Sequence, residues 1–108
     1  MAVESIPNHF TQREQAIAEI KADGLFLSET DVPADRLILT AHVHPHRVDI
    51  YMLEGVLELT DPETGRTHVL KAGSKATVRA DTPHAEHSPA GFRAAFGVSV
   101  DPKTIMSS

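Results

Sequence analysis

The rhythm of hydrophobic and polar positions changes once along the chain. Between residues 11 and 22 the apolar side chains Ala16, Ile17 and Ile20 recur at helical spacing. Ahead of them, Thr11-Gln-Arg-Glu14 has the form of a capping box, in which Thr and Glu side chains satisfy the free backbone donors of a helix start. Gly24 supplies a stop. The spacing predicts one short amphipathic helix over residues 11–22.

After Gly24 the period shortens to two. In the run 36–44, Leu37, Leu39, Ala41 and Val43 alternate with Ile38, Thr40, His42 and His44, so the two sets project from opposite faces of a strand. Two largely apolar faces imply that both are covered, one by a barrel interior and the other by the helix or a second subunit. The stretch Asp49 to Leu59 reads as a strand pair, or as one strand bent at Gly55, because glycine inside a strand marks a bulge or corner. Asp61-Pro-Glu-Thr-Gly65 has hairpin-turn chemistry. Short strands are predicted near 68–70, 76–79 and 84–87. The last run puts Phe92, Ala94, Phe96, Val98 and Val100 on one side. Many short strands, frequent turns and one helix predict an all-β sandwich or barrel.

Length agrees with a single domain over residues 1–108: a helical segment over 1–24, the barrel over 25–100 and a loose tail over 101–108. A net charge of −5 argues against nucleic-acid binding, where a basic patch supplies most of the affinity. No apolar run approaches the roughly 18 residues of a membrane helix. Met1 to Pro7 lacks the basic start and long apolar run of a secretory signal, so a cytoplasmic protein is expected. The absence of cysteine excludes disulfides, thiolate metal sites and a cysteine nucleophile, so any metal must bind through nitrogen and oxygen. The chain has seven histidines against one tyrosine and no tryptophan. Most of them fall in two short clusters.

In His42-Val-His44 the two imidazoles project from one face of a strand and can reach one metal ion. A bare His-x-His pattern fits surface histidines equally well. Its surroundings carry the weight: Asp49, Tyr51 and Leu53-Glu54-Gly55 follow, then Gly73 and, eleven positions on, His84. Over residues 36–88 these pieces resemble the two motifs of the cupin superfamily. The first is His-x-His, three or four residues, a Glu and a strand-closing Gly. The second is Gly, five residues, Pro-x-Gly, two residues, His.

The resemblance implies a double-stranded β-helix, the jelly-roll cupin barrel, with one short N-terminal helix. It also implies His42, His44, Asp49 and His84 at the metal-ligand positions. The chain departs from the pattern in several places. Asp49 replaces the usual Glu and is shorter, Arg36 replaces a glycine, Arg79 and Asp81 replace the Pro and Gly of the second motif, and Ser88 replaces an Asn. His46 continues the alternation of His42 and His44 and rivals Asp49 as fourth ligand, although Pro45 bends the chain towards the barrel rim. Glu86 shares strand parity with His84, and Tyr51 with Asp49; these two are the candidates for an acid, base or substrate contact. His87 has the opposite parity, and His9 and His68 read as surface histidines.

Three imidazoles and a carboxylate with open positions suit one divalent transition metal: iron, manganese, nickel, zinc or copper. Such an ion supports a metal-dependent enzyme, dioxygenase-like or isomerase-like, on a small organic molecule held near Ile38, Tyr51, Phe92 or Phe96. The same barrel also serves a non-catalytic binding or sensor module, or one that has lost its metal. The apolar set Leu37, Leu39, Ala41 and Val43 is a candidate homodimer seam.

Overall fold

The computed structural model describes residues 3–34, 36–42 and 45–101, with 36–42 described by its backbone course alone. The elements are β1 (Val3–Ile6), α1 (Arg13–Ala22), β2 (Phe26–Val32), β3 (Arg36–His42), β4 (Val48–Asp61), β5 (Arg66–Lys71), β6 (Lys75–Val78), β7 (His84–Ser88) and β8 (Phe92–Val98). Every strand pairing among the described residues is antiparallel. The result is the expected jelly roll.

β4 belongs to both layers. Its first half pairs with β6 and β8, and β1 and β2 extend that layer outward. Its second half pairs with β5 and β7, and β3 lies beyond β7. The strand changes layers at a register shift between Met52 and Glu54, next to Gly55 at φ 82°. A Cβ on Gly55 would stand 2.2 Å from the Gly91 carbonyl oxygen, so this corner requires glycine. The Asp61–Gly65 hairpin forms as predicted, with Gly65 N–H donating to the Asp61 carbonyl at 2.8 Å.

Alternation along the strands sorts the side chains. Ile50, Met52, Leu57, Leu59, Leu70, Ala76, Val78, Phe92 and Ala94 pack between the layers. Each such side chain stabilises the fold by about 1.5–3 kcal/mol when fully buried, with alanine contributing less. The intervening residues of β4 and β8 face outward, where Tyr51 and Ala95 meet Ala16 and Ile20 of α1 and Phe10 ahead of it. The helix therefore lies on the outer face of the first layer.

Several expectations are corrected. The helix begins at Arg13, and its cap is made by Gln15, whose Oε1 accepts from the Thr11 and Gln12 backbone N–H groups at 2.8 and 2.9 Å; Glu14 is one position short. Its end is a Schellman turn, with Leu25 N–H donating to the Ile20 carbonyl and Gly24 N–H to that of Lys21. The segment 1–24 is not purely helical, since β1 joins the barrel sheet beside β6. β2 escaped notice because its sequence, Phe-Leu-Ser-Glu-Thr-Asp-Val, is that of a largely exposed outer strand. The last strand ends at Val98, short of Val100. The side chains of the proposed seam at Leu37, Leu39, Ala41 and Val43, and the tail beyond Asp101, lie outside the described residues. Among the described residues no helix is long and apolar enough to cross a membrane.

Candidate functional site

One candidate site lies on the interior face of the second layer. Glu86 is the register partner of Leu59, a core residue, so β7 turns Glu86 and its same-parity neighbours His84 and Ser88 inward. His84 is only 3 % exposed, and its Nδ1–H donates to the Thr82 carbonyl at 2.9 Å. The turn before it passes through Asp81 at φ 58°. This is the position where the motif has glycine, and aspartate is one of the few residues that tolerate the left-handed region. The departure in sequence thus preserves the backbone that aims His84.

The backbone register places His42 of β3 directly opposite His84. The His42 side chain and all of His44 lie outside the described residues. His46 is buried and precedes Val48 by two positions; Val48 packs against the core. Glu86 is half-buried, and the Ser88 hydroxyl donates to the Val56 carbonyl at 2.6 Å. Phe92 and the partly buried Phe96 contribute to the interior as expected.

Two residues read as site candidates point the other way. Asp49 and Tyr51 alternate with Val48, Ile50 and Met52, and so occupy the face under α1. The Asp49 carboxylate is fully buried and receives Arg47 Nε–H and Nη2–H at 2.9 and 2.7 Å, with Lys75 Nζ at 3.8 Å. Tyr51 donates its hydroxyl to Glu19, a helix residue whose carboxylate also accepts from His9 Nε2–H at 2.8 Å and Lys75 Nζ at 3.0 Å. Lys75 also lies 5.1 Å above the Tyr51 ring. Burial and the Glu19 carboxylate push the Tyr51 phenol well above its ordinary range, so it stays protonated. Burial alone would raise Glu19, but the hydrogen bonds from Tyr51, Lys75 and His9 outweigh it and hold the carboxyl at about 2. This network ties α1 to the sheet. It does not put Asp49 or Tyr51 beside His84.

The remaining histidines divide. His87 faces outward, its side chain 42 % exposed and 3.8 Å from Glu58. His9 is not a loose surface residue, because it joins the Glu19 network. His68 is 5 % exposed and its Nδ1 lies 2.7 Å from the Ser5 hydroxyl. Its shared parity with Leu70 was the available signal for burial. His9 had none, since its partner comes from tertiary packing.

The interior site can offer imidazole nitrogens and, from β7, one carboxylate. Neither the family models nor the curated proteins compared with the chain match it. Among solved structures it is similar to a DUF861 family protein from Thermotoga maritima, at 14 % identity and a TM-score of 0.62 over 89 % of this chain and 98 % of that one. It is also similar to an RmlC-like cupin from Shewanella frigidimarina, at 21 % identity and a TM-score of 0.59 over 74 % of this chain and 70 % of that one.

Proposed function

We propose that this cupin jelly roll holds one divalent transition metal on His42, His44 and His84 at the barrel mouth and uses it to bind a small organic ligand. The observation that carries the reading is the His84 ring. Its Nδ1–H is committed to the Thr82 carbonyl, so the lone pair resides on Nε2, the state that metal ligation requires. A backbone carbonyl that orients a buried imidazole is the usual outer partner of a ligating histidine. His42, its register partner, brings a second imidazole-bearing residue to the same row.

Nitrogen donors without thiolate suit iron, manganese, nickel, copper or zinc. His46 provides a fourth nitrogen, while Asp49 stays within its ion pairs with Arg47 and Lys75. When bound, the ion would act as a Lewis acid that polarises and orients the ligand. Glu86, two residues along β7 from His84, holds or moves a proton on that ligand, which favours proton-transfer chemistry. Phe92 and Phe96 supply apolar walls.

The test is elemental analysis of untagged protein purified without chelator, with His42→Ala and His84→Ala beside the wild type. Stoichiometric metal in the wild type and its loss in both variants is the expected result. Equal metal content in all three would overturn the reading.

A further inference from the structure

The barrel has a second polar locus, at the seam between its two layers. Among the described residues β1 pairs with β6 and β5 with β4, and no backbone ladder joins β1 to β5. What spans the gap is the 2.7 Å contact between the Ser5 hydroxyl and His68 Nδ1. Two clefts, of about 300 and 330 Å³, meet at this point, and Ser5, Arg66 and His68 line both.

His68 Nε2 is buried and has no hydrogen-bond partner among the described residues. A neutral imidazole carries one N–H and one lone pair. When the Ser5 hydroxyl donates to Nδ1, the ring proton sits on Nε2, and a buried donor without an acceptor is costly. Arg66 precedes His68 by two residues on β5 and shares its face. Its guanidinium makes no ion pair or side-chain hydrogen bond among the described residues. The nearby carboxylates are engaged: Glu4 on β1 receives Arg79 at 3.0 Å, and Asp61 on β4 accepts the Glu63 N–H at 2.9 Å.

We propose that this seam is a second ligand site, distinct from the barrel mouth, that takes a small oxyanion, a carboxylate or a phosphate, on the Arg66 guanidinium and the His68 Nε2–H. Such an oxygen would accept from both groups, and charge-assisted bonds of this kind are the strong ones. The electrostatics of the seam fit an anion. Burial pulls the His68 pKa down from 6.5, Arg66 lowers it further, and Asp61 opposes them. A bound anion reverses the Arg66 effect, so occupancy raises the His68 pKa and, reciprocally, affinity rises as pH falls through that range.

The experiment follows the His68 ring nitrogens by NMR in the full ¹⁵N-labelled chain. Inorganic phosphate, acetate and chloride are titrated separately at matched ionic strength. We expect a saturable shift of His68 with phosphate or acetate, and the one that saturates names the ligand chemistry. Half-saturation should move at least tenfold higher in Arg66→Gln, an exposed position where the fold is not at stake. His68 should titrate at higher pH in the saturated protein. An equal response to chloride, no saturation with either oxyanion, or an unchanged response in Arg66→Gln would each overturn the site. So would a shift confined to His84, which would place the anion in the barrel mouth.

Discussion

The first half of β4 carries two rows of side chains on one backbone. Val48, Ile50 and Met52 face the barrel interior, while Asp49, Tyr51 and Leu53 lie on the side covered by α1. The outer row is the richer in chemistry, with a buried carboxylate, a phenol, Arg47 and Lys75 on the sheet side and Glu19 and His9 from the helical side. Its charges are compensated within itself, and they clamp a helix to a sheet. The inner row of the first half of β4 is apolar, and among the described residues β7 turns His84 and Glu86 into the interior. Strongly shifted pKa values mark functional sites only in part, because structural ion-pair networks shift them as well. Among the described residues, Glu19 and Tyr51, both strongly shifted, belong to the clamp.

The sharpest way to test this division is to break the clamp and watch the metal. Lys75→Met removes an ammonium shared by Glu19 and Asp49, and Asp49 is fully buried. Glu19 loses a charge-assisted hydrogen bond of 3.0 Å while Asp49 keeps both bonds from Arg47, so a cost of about 2 kcal/mol is expected. For a chain of this size that lowers Tm by roughly 10 °C. Metal content at 20–25 °C, where the variant is still folded, should equal that of the wild type. Loss of metal in the folded variant would mean that the two faces are one functional unit.

Asp49 offers a second, smaller break. Asp49→Asn keeps the shape and one acceptor while releasing Arg47, which is 44 % exposed and rehydrates easily. A loss of about 1–2 kcal/mol in urea unfolding is expected, comparable to a charge-assisted hydrogen bond. Metal stoichiometry should not change. The reverse pattern, wild-type stability with metal lost, would make Asp49 a ligand and invert the assignment of the two rows.

Asp49 enters the ligand set through the motif resemblance alone, and its parity on β4 sets it on the face opposite Ile50 and Met52. A shift of one residue along a strand transfers a side chain to the opposite face. Alternation within β4 itself, from Val48 on, separates Asp49 and Tyr51 from Val48, Ile50 and Met52. Within uninterrupted strands it was reliable. The inward set Phe92, Ala94, Phe96 and Val98 was legible, as was the shared parity of His84 and Glu86, although a solvated Glu86 was the stronger expectation. The hairpin at Asp61–Gly65 and the bend at Gly55 were legible because turn chemistry is local. β2 was not, because an outer strand with little buried surface leaves no hydrophobic period. The Glu19 hub was not legible either. Its three partners, His9, Tyr51 and Lys75, come from three separate places in the sequence, and only packing brings them to the helix.

The smallest effect concerns that hub. Glu19 is held at about 2 in the fold against an ordinary 4.5. A carboxyl lowered in the folded state contributes its full stabilisation above pH 4.5. As pH falls from there towards 2, the unfolded chain takes up the proton first and the contribution is lost. The Glu19 side chain is 35 % exposed, so solvent screening limits the effect to about 1 kcal/mol. Urea unfolding of wild type and Glu19→Gln should therefore differ by about that much at pH 6, with the difference closing as pH falls from 4.5 to 2.5. Because Gln keeps the shape and still accepts a hydrogen bond from Tyr51, the comparison isolates charge from packing. A difference that stays constant across this range would mean that α1 is held by its apolar contacts through Ala16 and Ile20 alone, and the outer row would lose its role as an electrostatic clamp.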